Sequence, residues 1–278
     1  MSDIAPLDEQ TPHVRDEISS RATWDNETAM ARAQALAAAL PALDLFERLA
    51  AIRTHLPGRI IFTTSFGLED QAIAHAIFSQ KLAIDVATLD TGRLFPETYE
   101  VWAETEKRYA RRVAAFTPSH TSLETLIAQQ GINGFRYSLA ARLECCNVRK
   151  VAPLDRALAG NTGWITGIRA DQSASRAKFS AVERDERRRL VKANPLFDWT
   201  RDQTLEFVRS HEIPHNRLHD RGFPSIGCAP CTRAVAPGES ERAGRWWWEQ
   251  SGKKECGLHR AANEDATKRH KLNTNPAG

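Results

Sequence analysis

Residues 59–70 read RIIFTTSFGLED and combine an apolar run, a turn of small residues and the start of a charged segment. The run RIIFTTS (59–65) is typical of a strand that is buried on both faces, as the strands of parallel sheets are. The segment from Glu69 to Gln80 then has the residue spacing of a helix. A strand that passes through a small turn into a helix is the repeating unit of an α/β fold.

Apolar runs and amphipathic segments continue to alternate on both sides of this unit. Further strands are predicted over 81–90, 112–118, 163–169 and 189–196, and further helices within 26–55 and over 96–111. We therefore predict a doubly wound, mostly parallel α/β sheet over residues 26–222. Residues 1–25 are predicted to be a flexible N-terminal arm, and residues 223–278 an irregular and helical tail that carries cysteines. The charge run VERDERRR (182–189) is predicted to be a solvated loop.

Composition excludes several classes of protein. The chain has 278 residues, 41% of them hydrophobic, so it can bury a substantial core. Its 38 basic and 35 acidic residues leave a net charge of +3, which is too balanced for a nucleic-acid coat or a polybasic membrane anchor. The N-terminus lacks the pattern of a secretory signal, and the apolar stretch 35–43 is too short to span a membrane. We expect a cytoplasmic protein with no nucleic-acid or membrane partner.

The turn Ser65-Phe66-Gly67 is the first candidate ligand site. It follows a strand and opens a helix, so its backbone N–H groups can face an anion at the positive end of that helix. A tight turn without a ligand is an equally good interpretation, because such turns are common in α/β proteins. The turn has neither the lysine and second glycine of a Walker loop nor the three glycines of a dinucleotide-binding loop.

Four of the five cysteines form two close pairs. Cys145 and Cys146 are adjacent, and Cys228 and Cys231 belong to a C-x-x-C segment about 80 residues later. Two pairs on separate segments are what a four-thiolate centre requires. Adjacent side chains diverge by about 100° on a helix, which favours an iron–sulfur cluster with separated iron atoms over one tetrahedral zinc. Structural zinc, a redox-active pair and simple burial as apolar side chains remain open.

The fifth cysteine, Cys256, lies in the basic segment GKKECGLHR. Cationic neighbours stabilise a thiolate, which is the form that attacks an electrophile. Upstream, Arg242 and Arg245 are three residues apart on a predicted helix, where they would share one face and bind an anion together. A free surface cysteine in a basic tail is the alternative interpretation.

With these motifs in place, the chain closely resembles the bacterial assimilatory adenylyl sulfate reductases, the cluster-containing branch of the phosphoadenylyl sulfate reductase family. The resemblance runs from about Ile60 to His259. It rests on the motifs SFG, LDTG-x-LF-x-ET-Y, ECC-x-x-RK, TGIR-x-DQS, NPL-x-DW, GC-x-PCTR, ER-x-GRWWWE and ECGLH. Two details depart from that family: its members often have an extra small residue in the SFG turn, and the loop after DQS reads SASR here.

The resemblance implies a site and a fold. The fold is that of the adenine nucleotide alpha hydrolases. Cys256 is the catalytic nucleophile, and a [4Fe-4S] cluster is bound by Cys145, Cys146, Cys228 and Cys231. The implied substrate-binding residues are Ser65, Phe66 and Gly67 in the nucleotide-binding turn, Leu89 and Gly167 near the adenosine, Lys150 near cluster and substrate, and Arg176, Arg242, Arg245 and His259 around the phosphate and sulfate.

The implied reaction is the thioredoxin-dependent reduction of adenosine 5'-phosphosulfate to sulfite and AMP through an enzyme S-sulfocysteine, in sulfate assimilation and cysteine biosynthesis. Thioredoxin, or glutaredoxin, is the implied reductant, and a homo-oligomer is possible. One alternative is use of the 3'-phosphorylated nucleotide (PAPS), alone or together with adenylyl sulfate (APS). A second is an ATP-dependent sulfur-transfer enzyme of the same fold, and a third is a metal-binding regulator without catalytic activity.

Overall fold

The computed structural model describes residues 26–173, 176, 179–249 and 258. Within them, one six-stranded sheet is built from β1 (Ile60–Thr64), β2 (Asp85–Leu89), β3 (Ala114–Phe116), β4 (Gly163–Ile165), β5 (Val182–Asp185) and β6 (Leu190–Ala193). The strand order is β3-β2-β1-β4-β6-β5, and only β5 runs antiparallel to its neighbour. The predicted fold class is confirmed, and each of the five predicted strands is present in shortened form.

Eight α-helices connect and flank these strands in the described part of the chain. They are α1 (Asn26–Ala39), α2 (Leu45–His55), α3 (Leu68–Ser79), α4 (Pro96–Tyr109), α5 (His120–Gln130), α6 (Leu139–Cys146), α7 (Ala152–Leu158) and α8 (Arg201–Ser210). Sequence signals set several of the helix starts. Asp44 and Glu47 form a capping box at α2, and Pro96 provides the first residue of α4, where a missing N–H costs nothing.

The sheet is covered on both faces, as its apolar strands require. On β1, Ile60 and Phe62 belong to the larger core together with residues of α1, α2 and α3. The intervening Ile61 points to the opposite face, where it packs with Leu154 and Leu158 of α7. Successive strand side chains face opposite sides, so an unbroken apolar run is needed to fill both layers.

The segment VERDERRR, predicted to be a loop, contains strand β5. Val182 is buried, and Glu183 lies directly opposite Lys192 of β6, with its carboxylate 3.2 Å from the lysine ammonium. Cross-strand pairs of opposite charge stabilise an edge strand whose other side faces solvent. Residues 182–185 of the charge run therefore form the polar edge of the sheet, and the prediction of a loop was wrong for them, whereas residues 186–189 form the turn that leads into β6.

The order of the strands reverses between β1 and β4, and this reversal locates the site. Crossovers from β1 lead to β2 on one side, whereas β4 and β6 lie on the other. Ligands of doubly wound sheets bind outside the carboxyl ends of the strands at this point. Among the described residues, no helix is long and apolar enough to cross a membrane. The predicted N-terminal arm lies outside the described residues.

Candidate functional site

A cleft opens at the reversal point of the sheet, and eight of the predicted substrate-binding residues line it. These are Ser65 and Gly67 after β1, Leu89 at the end of β2, Lys150 before α7, Gly167 after β4, and Arg176, Arg242 and Arg245. These residues come from segments up to 180 positions apart in the sequence. The fold therefore brings residues of separate motifs into one cleft. Cys256 and His259 lie outside the described residues.

The turn after β1 uses its donors in a specific way. The N–H and the hydroxyl of Ser65 both donate to the carboxylate of Asp70, at 2.5 and 2.7 Å. Phe66 has a left-handed backbone with φ of 59°, and its ring is buried against Trp102, with 5.5 Å between the ring centroids. Phe66, although predicted to bind substrate, does not line the cleft, and its side chain belongs to the core.

Asp70 is a cleft residue that the sequence motifs did not single out. It is almost fully buried, and burial raises the pKa of its carboxyl to about 6, against the hydrogen bonds from Ser65 that favour the ionised form. Asp70 also lies against Gly167, where an added Cβ atom would come within 2.1 Å of its Oδ1. Gly167 is thus required by the packing of the cleft wall. The acidic partner of the turn could have been suspected from its position in the first turn of α3.

The four predicted cationic side chains give the cleft a local positive character. Lys150, Arg176, Arg242 and Arg245 all line it, together with the acidic Glu69, Asp70 and Glu241. Basic side chains at the mouth of a cleft attract and bind phosphate or sulfate groups. The cleft thus gathers four basic side chains from distant parts of the chain beside three acidic ones.

Arg242 lies on a turn and Arg245 forms an isolated β-bridge with Thr232, so the prediction of a helix there was wrong. Residues 240–246 run beside the C-x-x-C segment instead. The N–H of Arg233 donates to the carbonyl of Gly244 at 3.0 Å, and the N–H of Trp246 donates to the carbonyl of Cys231 at 3.1 Å. Gly244 permits this close approach, because a Cβ atom there would lie 2.2 Å from the carbonyl oxygen of Arg233.

The four predicted metal-binding cysteines line one common cavity, here called the cysteine cavity. Cys145 and Cys146 end helix α6, and a π-helical stretch, Asn147–Val151, follows directly. Cys228 and Cys231 flank a short 3-10 turn, Ala229–Cys231. All four thiols are buried or half-buried. Among the described residues, no three His, Cys, Asp or Glu side chains form a group that could hold a single metal ion.

Basic side chains surround the cysteine cavity, and the described residues that line it include no acidic one. Arg93, Arg142, Arg149, Lys150 and Arg245 line it. Although burial raises the pKa of the Cys228 thiol, the Lys150 ammonium, the Thr91 hydroxyl and the Arg245 guanidinium bring it below its usual value. Burial and the neighbouring Cys228 raise the pKa of Cys231 to about 12. The surroundings therefore favour negative charge on part of this sulfur set.

Within the described part of the chain, three buried N–H groups around the cysteine cavity have no hydrogen-bond partner. They are Nε of Arg149, Nε of Arg245 and Nε1 of Trp246. Buried donors are nearly always paired in native proteins, so three unpaired donors around one cavity indicate a missing acceptor. Lys150, Arg245 and Trp246 also line the cleft, and these three side chains form the wall between the two cavities.

A charged cluster behind the cleft was not predicted from the sequence. The guanidinium of Arg169 is fully buried and donates to Glu69 at 2.7 Å and to Glu241 at 3.0 Å, and Asp171 accepts a further bond. Its partners lie 100 and 72 residues away along the chain. No local pattern reveals such a contact, because it depends on the meeting of distant segments.

Several known proteins resemble this chain over most of its length. Residues 59–234 match the family model described as the phosphoadenosine phosphosulfate reductase domain. An adenosine 5'-phosphosulfate reductase of Agrobacterium fabrum is 49% identical over 242 residues, which cover 87% of this chain and 93% of that protein. One from Sinorhizobium fredii is 52% identical over 229 residues, covering 82% and 91%.

A solved structure extends the comparison to three dimensions. The phosphoadenylyl-sulfate (PAPS) reductase from Candida auris, in a phosphate complex, superimposes with a TM-score of 0.62 at 26% identity. The match covers 73% of this chain and 96% of that one. The sheet and its flanking helices are thus those of a known sulfonucleotide reductase.

Proposed function

Because the chain belongs to the phosphoadenosine phosphosulfate reductase domain family, we propose that its cleft binds adenosine 5'-phosphosulfate and that the enzyme reduces this nucleotide to sulfite and AMP. The observation that carries the proposal is the cleft itself. It unites the turn after β1 with four basic side chains, and it shares a wall with a cavity lined by four cysteines.

The nucleotide is proposed to lie across the ends of β1, β2 and β4. Leu89 and Gly167 border the adenosine, and the turn at Ser65 and Gly67 faces its anionic part. Lys150, Arg176, Arg242, Arg245 and His259 bind the phosphate and sulfate. Cationic groups placed beside the bridging oxygen stabilise the charge that develops there as the bond to sulfur breaks.

Cys256 is the proposed nucleophile. Its thiolate attacks the sulfur of the sulfate group, a new S–S bond forms, and the S–O bond to the phosphate breaks, so that AMP leaves with the electron pair. The product on the enzyme is an S-sulfocysteine. Leu258 lines the cleft and packs against both Trp246 and residues of α7, and it follows Cys256 by only two residues, which supports delivery of the thiolate to this site.

Release of sulfite requires a second thiol. In the proposal a thiol of reduced thioredoxin, or of glutaredoxin, attacks the sulfur of Cys256, and sulfite departs as an enzyme–reductant disulfide forms. The second thiol of the reductant then resolves that disulfide. The electrons of the reduction thus come from the dithiol partner, and a single cysteine on the enzyme suffices.

The cysteine cavity is proposed to hold a [4Fe-4S] cluster through Cys145, Cys146, Cys228 and Cys231. Five basic side chains in the lining suit an anionic tetrathiolate cluster, and the unpaired N–H groups of Arg149, Arg245 and Trp246 suit its sulfur acceptors. When bound, the cluster supplies a fixed negative charge beside the wall that contains Lys150 and Arg245.

The decisive experiment mixes the purified protein with adenylyl sulfate alone and records the mass of the peptide that contains Cys256. We expect one SO₃ adduct there, release of AMP, and sulfite only after reduced thioredoxin is added. Cys256→Ser should give neither adduct nor sulfite while keeping its iron. An adduct elsewhere, or turnover by the serine variant, would refute the assigned nucleophile.

Two parallel assays test the alternative functions. Turnover is compared on adenylyl sulfate and on its 3'-phosphorylated form, and a clear preference for the latter would make the enzyme a PAPS reductase. Pyrophosphate release from ATP would instead indicate an ATP-dependent sulfur-transfer enzyme.

A further inference from the structure

The buried side chain of Arg169 joins three segments that build the cleft. Its Nε donates to Glu69 Oε1 at 2.7 Å, and its Nη2 donates to both carboxylate oxygens of Glu241 at 3.0 and 3.1 Å. Asp171 accepts a bond from Nη1. The side chain has no solvent-accessible surface and does not line the cleft, so it cannot contact a bound nucleotide.

Each of the three segments carries a cleft residue close to its contact with Arg169. Glu69 follows Gly67 by two residues in the first turn of α3. The loop after β4 carries Gln172, which accepts a bond from Arg176. Glu241 directly precedes Arg242, and both line the cleft.

Segment 240–246 is anchored at its start by the side chain of Glu241, and further along by backbone bonds from Arg233 to Gly244 and from Trp246 to Cys231. It lacks the repeated hydrogen bonds of a helix, and its internal bonds run from Ala243 N–H to the Ser240 carbonyl at 2.9 Å and from Arg245 N–H to the Arg242 carbonyl at 3.0 Å. The single Nη2 of the buried Arg169 guanidinium contacts both oxygens of Glu241, and a hydrogen bond between two charged groups is roughly twice as strong as one between neutral groups. Glu241 also lies 3.6 Å from Nη1 of Arg201, which reinforces the same anchor.

We propose that Arg169, acting through Glu241, is a positioning residue that fixes Arg242 where it binds the phosphate of the nucleotide. This inference rests on the proposed function. Arg169 is the arginine of the TGIR motif. Its proposed role is to hold Glu241 from behind the cleft wall, without contact to the nucleotide. The affected ligand part is the anionic phosphate, and the nucleoside is held by other segments.

The test uses Glu241→Gln, because removing Arg169 itself would leave buried carboxylates uncompensated and endanger folding. Binding of AMP and of adenosine to the full-length protein is measured by calorimetry. We expect AMP to bind about tenfold more weakly to Glu241→Gln, equivalent to ~1.4 kcal/mol, with adenosine binding unchanged. The matched control is Glu239→Gln, two residues before Glu241. This change alters an exposed ion pair with Arg233, and the variant should bind both ligands as the wild type does.

A double-mutant cycle separates positioning from a general structural effect. Arg242→Met should weaken AMP binding, and adding Glu241→Gln to it should cause no further loss, because the anchor acts only through Arg242. Additive losses, an equal loss of adenosine binding, or wild-type AMP binding by Glu241→Gln would each overturn the inference. Failure of the wild type to bind AMP would instead remove the proposed function, and the inference with it.

Discussion

The methyl group added by Gly167→Ala should disturb the nucleotide turn without touching it directly. The new Cβ atom would lie 2.1 Å from Oδ1 of Asp70 and 3.1 Å from Cβ of Glu69. Real Cβ atoms essentially never come closer than 3.0 Å to another atom, so one group must move. The carboxylate of Asp70 is the group that can rotate, and moving it breaks its bonds from the N–H and hydroxyl of Ser65.

The expected cost follows from those two hydrogen bonds. A hydrogen bond to a charged group is worth roughly 1.5–3 kcal/mol, and overpacking costs typically about 1–3 kcal/mol. The displaced carboxylate regains water in the open cleft, which offsets part of the loss. We therefore expect a loss of about 2–3 kcal/mol in the free energy of unfolding. For a chain of this size that lowers Tm by roughly 4–12 °C.

Urea and thermal unfolding at pH 8, where Asp70 is ionised, measure this loss, and AMP binding should fall in parallel. For the unfolding measurements alone, Gly67→Ala is the matched control, because its Cβ would meet only ordinary contacts at 3.6 and 3.7 Å and its φ of −72° suits any residue. In an Asp70→Ala background the obstacle is gone, so Gly167→Ala should then cost less than about 1 kcal/mol. An equal cost in both backgrounds, or none in either, would refute the reasoning.

Three further predictions concern pH and the cysteine cavity. Burial raises the pKa of Asp70 from 3.8 to about 6, so folding gains stability as the pH falls from about 6 towards 4, and urea titrations should show this gain abolished in Asp70→Asn. Burial and the nearby His211 lower the pKa of His75 from 6.5 to about 4. The stability that neutral His75 contributes is therefore present above pH 6.5 and is lost as the pH falls towards 4. His75→Phe should remove this acid sensitivity in the same titrations. Cys228→Ser should lower the iron content and visible absorbance of the purified protein, whereas Ser240→Ala should leave both unchanged.

Local signals explain why the central sheet was predictable. The side chains at the start of β1 pack into a core on each face of the sheet. Each of these positions must therefore be apolar, which gives the recognisable run IIF. The edge strand β5 was missed because its charged side chains face solvent or pair across to Lys192, so that its composition resembles a loop. The spacing of apolar residues identifies a strand only when the strand buries enough side chains. An edge strand such as β5 buries too few apolar side chains for that pattern to appear.

The candidate site was predictable residue by residue but not as a geometry. Motifs suggested Ser65, Lys150 and Arg245, and the fold brings them into one cleft. The motifs could not indicate that the ring of Phe66 belongs to the core. They also could not reveal Arg169 at the centre of three carboxylates, because ion pairs between distant segments leave no periodic trace.

The loop after β2 links the cleft and the cysteine cavity into one rigid unit. Leu89 lines the cleft, and two residues later the hydroxyl of Thr91 lies 3.3 Å from the sulfur of Cys228. Arg149 donates to the carbonyl of Thr91 at 2.6 Å, and the N–H of Ala229 donates to the carbonyl of Arg93 at 2.8 Å. The same loop therefore fixes both cysteine-bearing segments against the sheet edge that receives the nucleotide. A change in how the four sulfurs are held would act directly on the wall of the cleft, because Lys150 and Arg245 line both cavities.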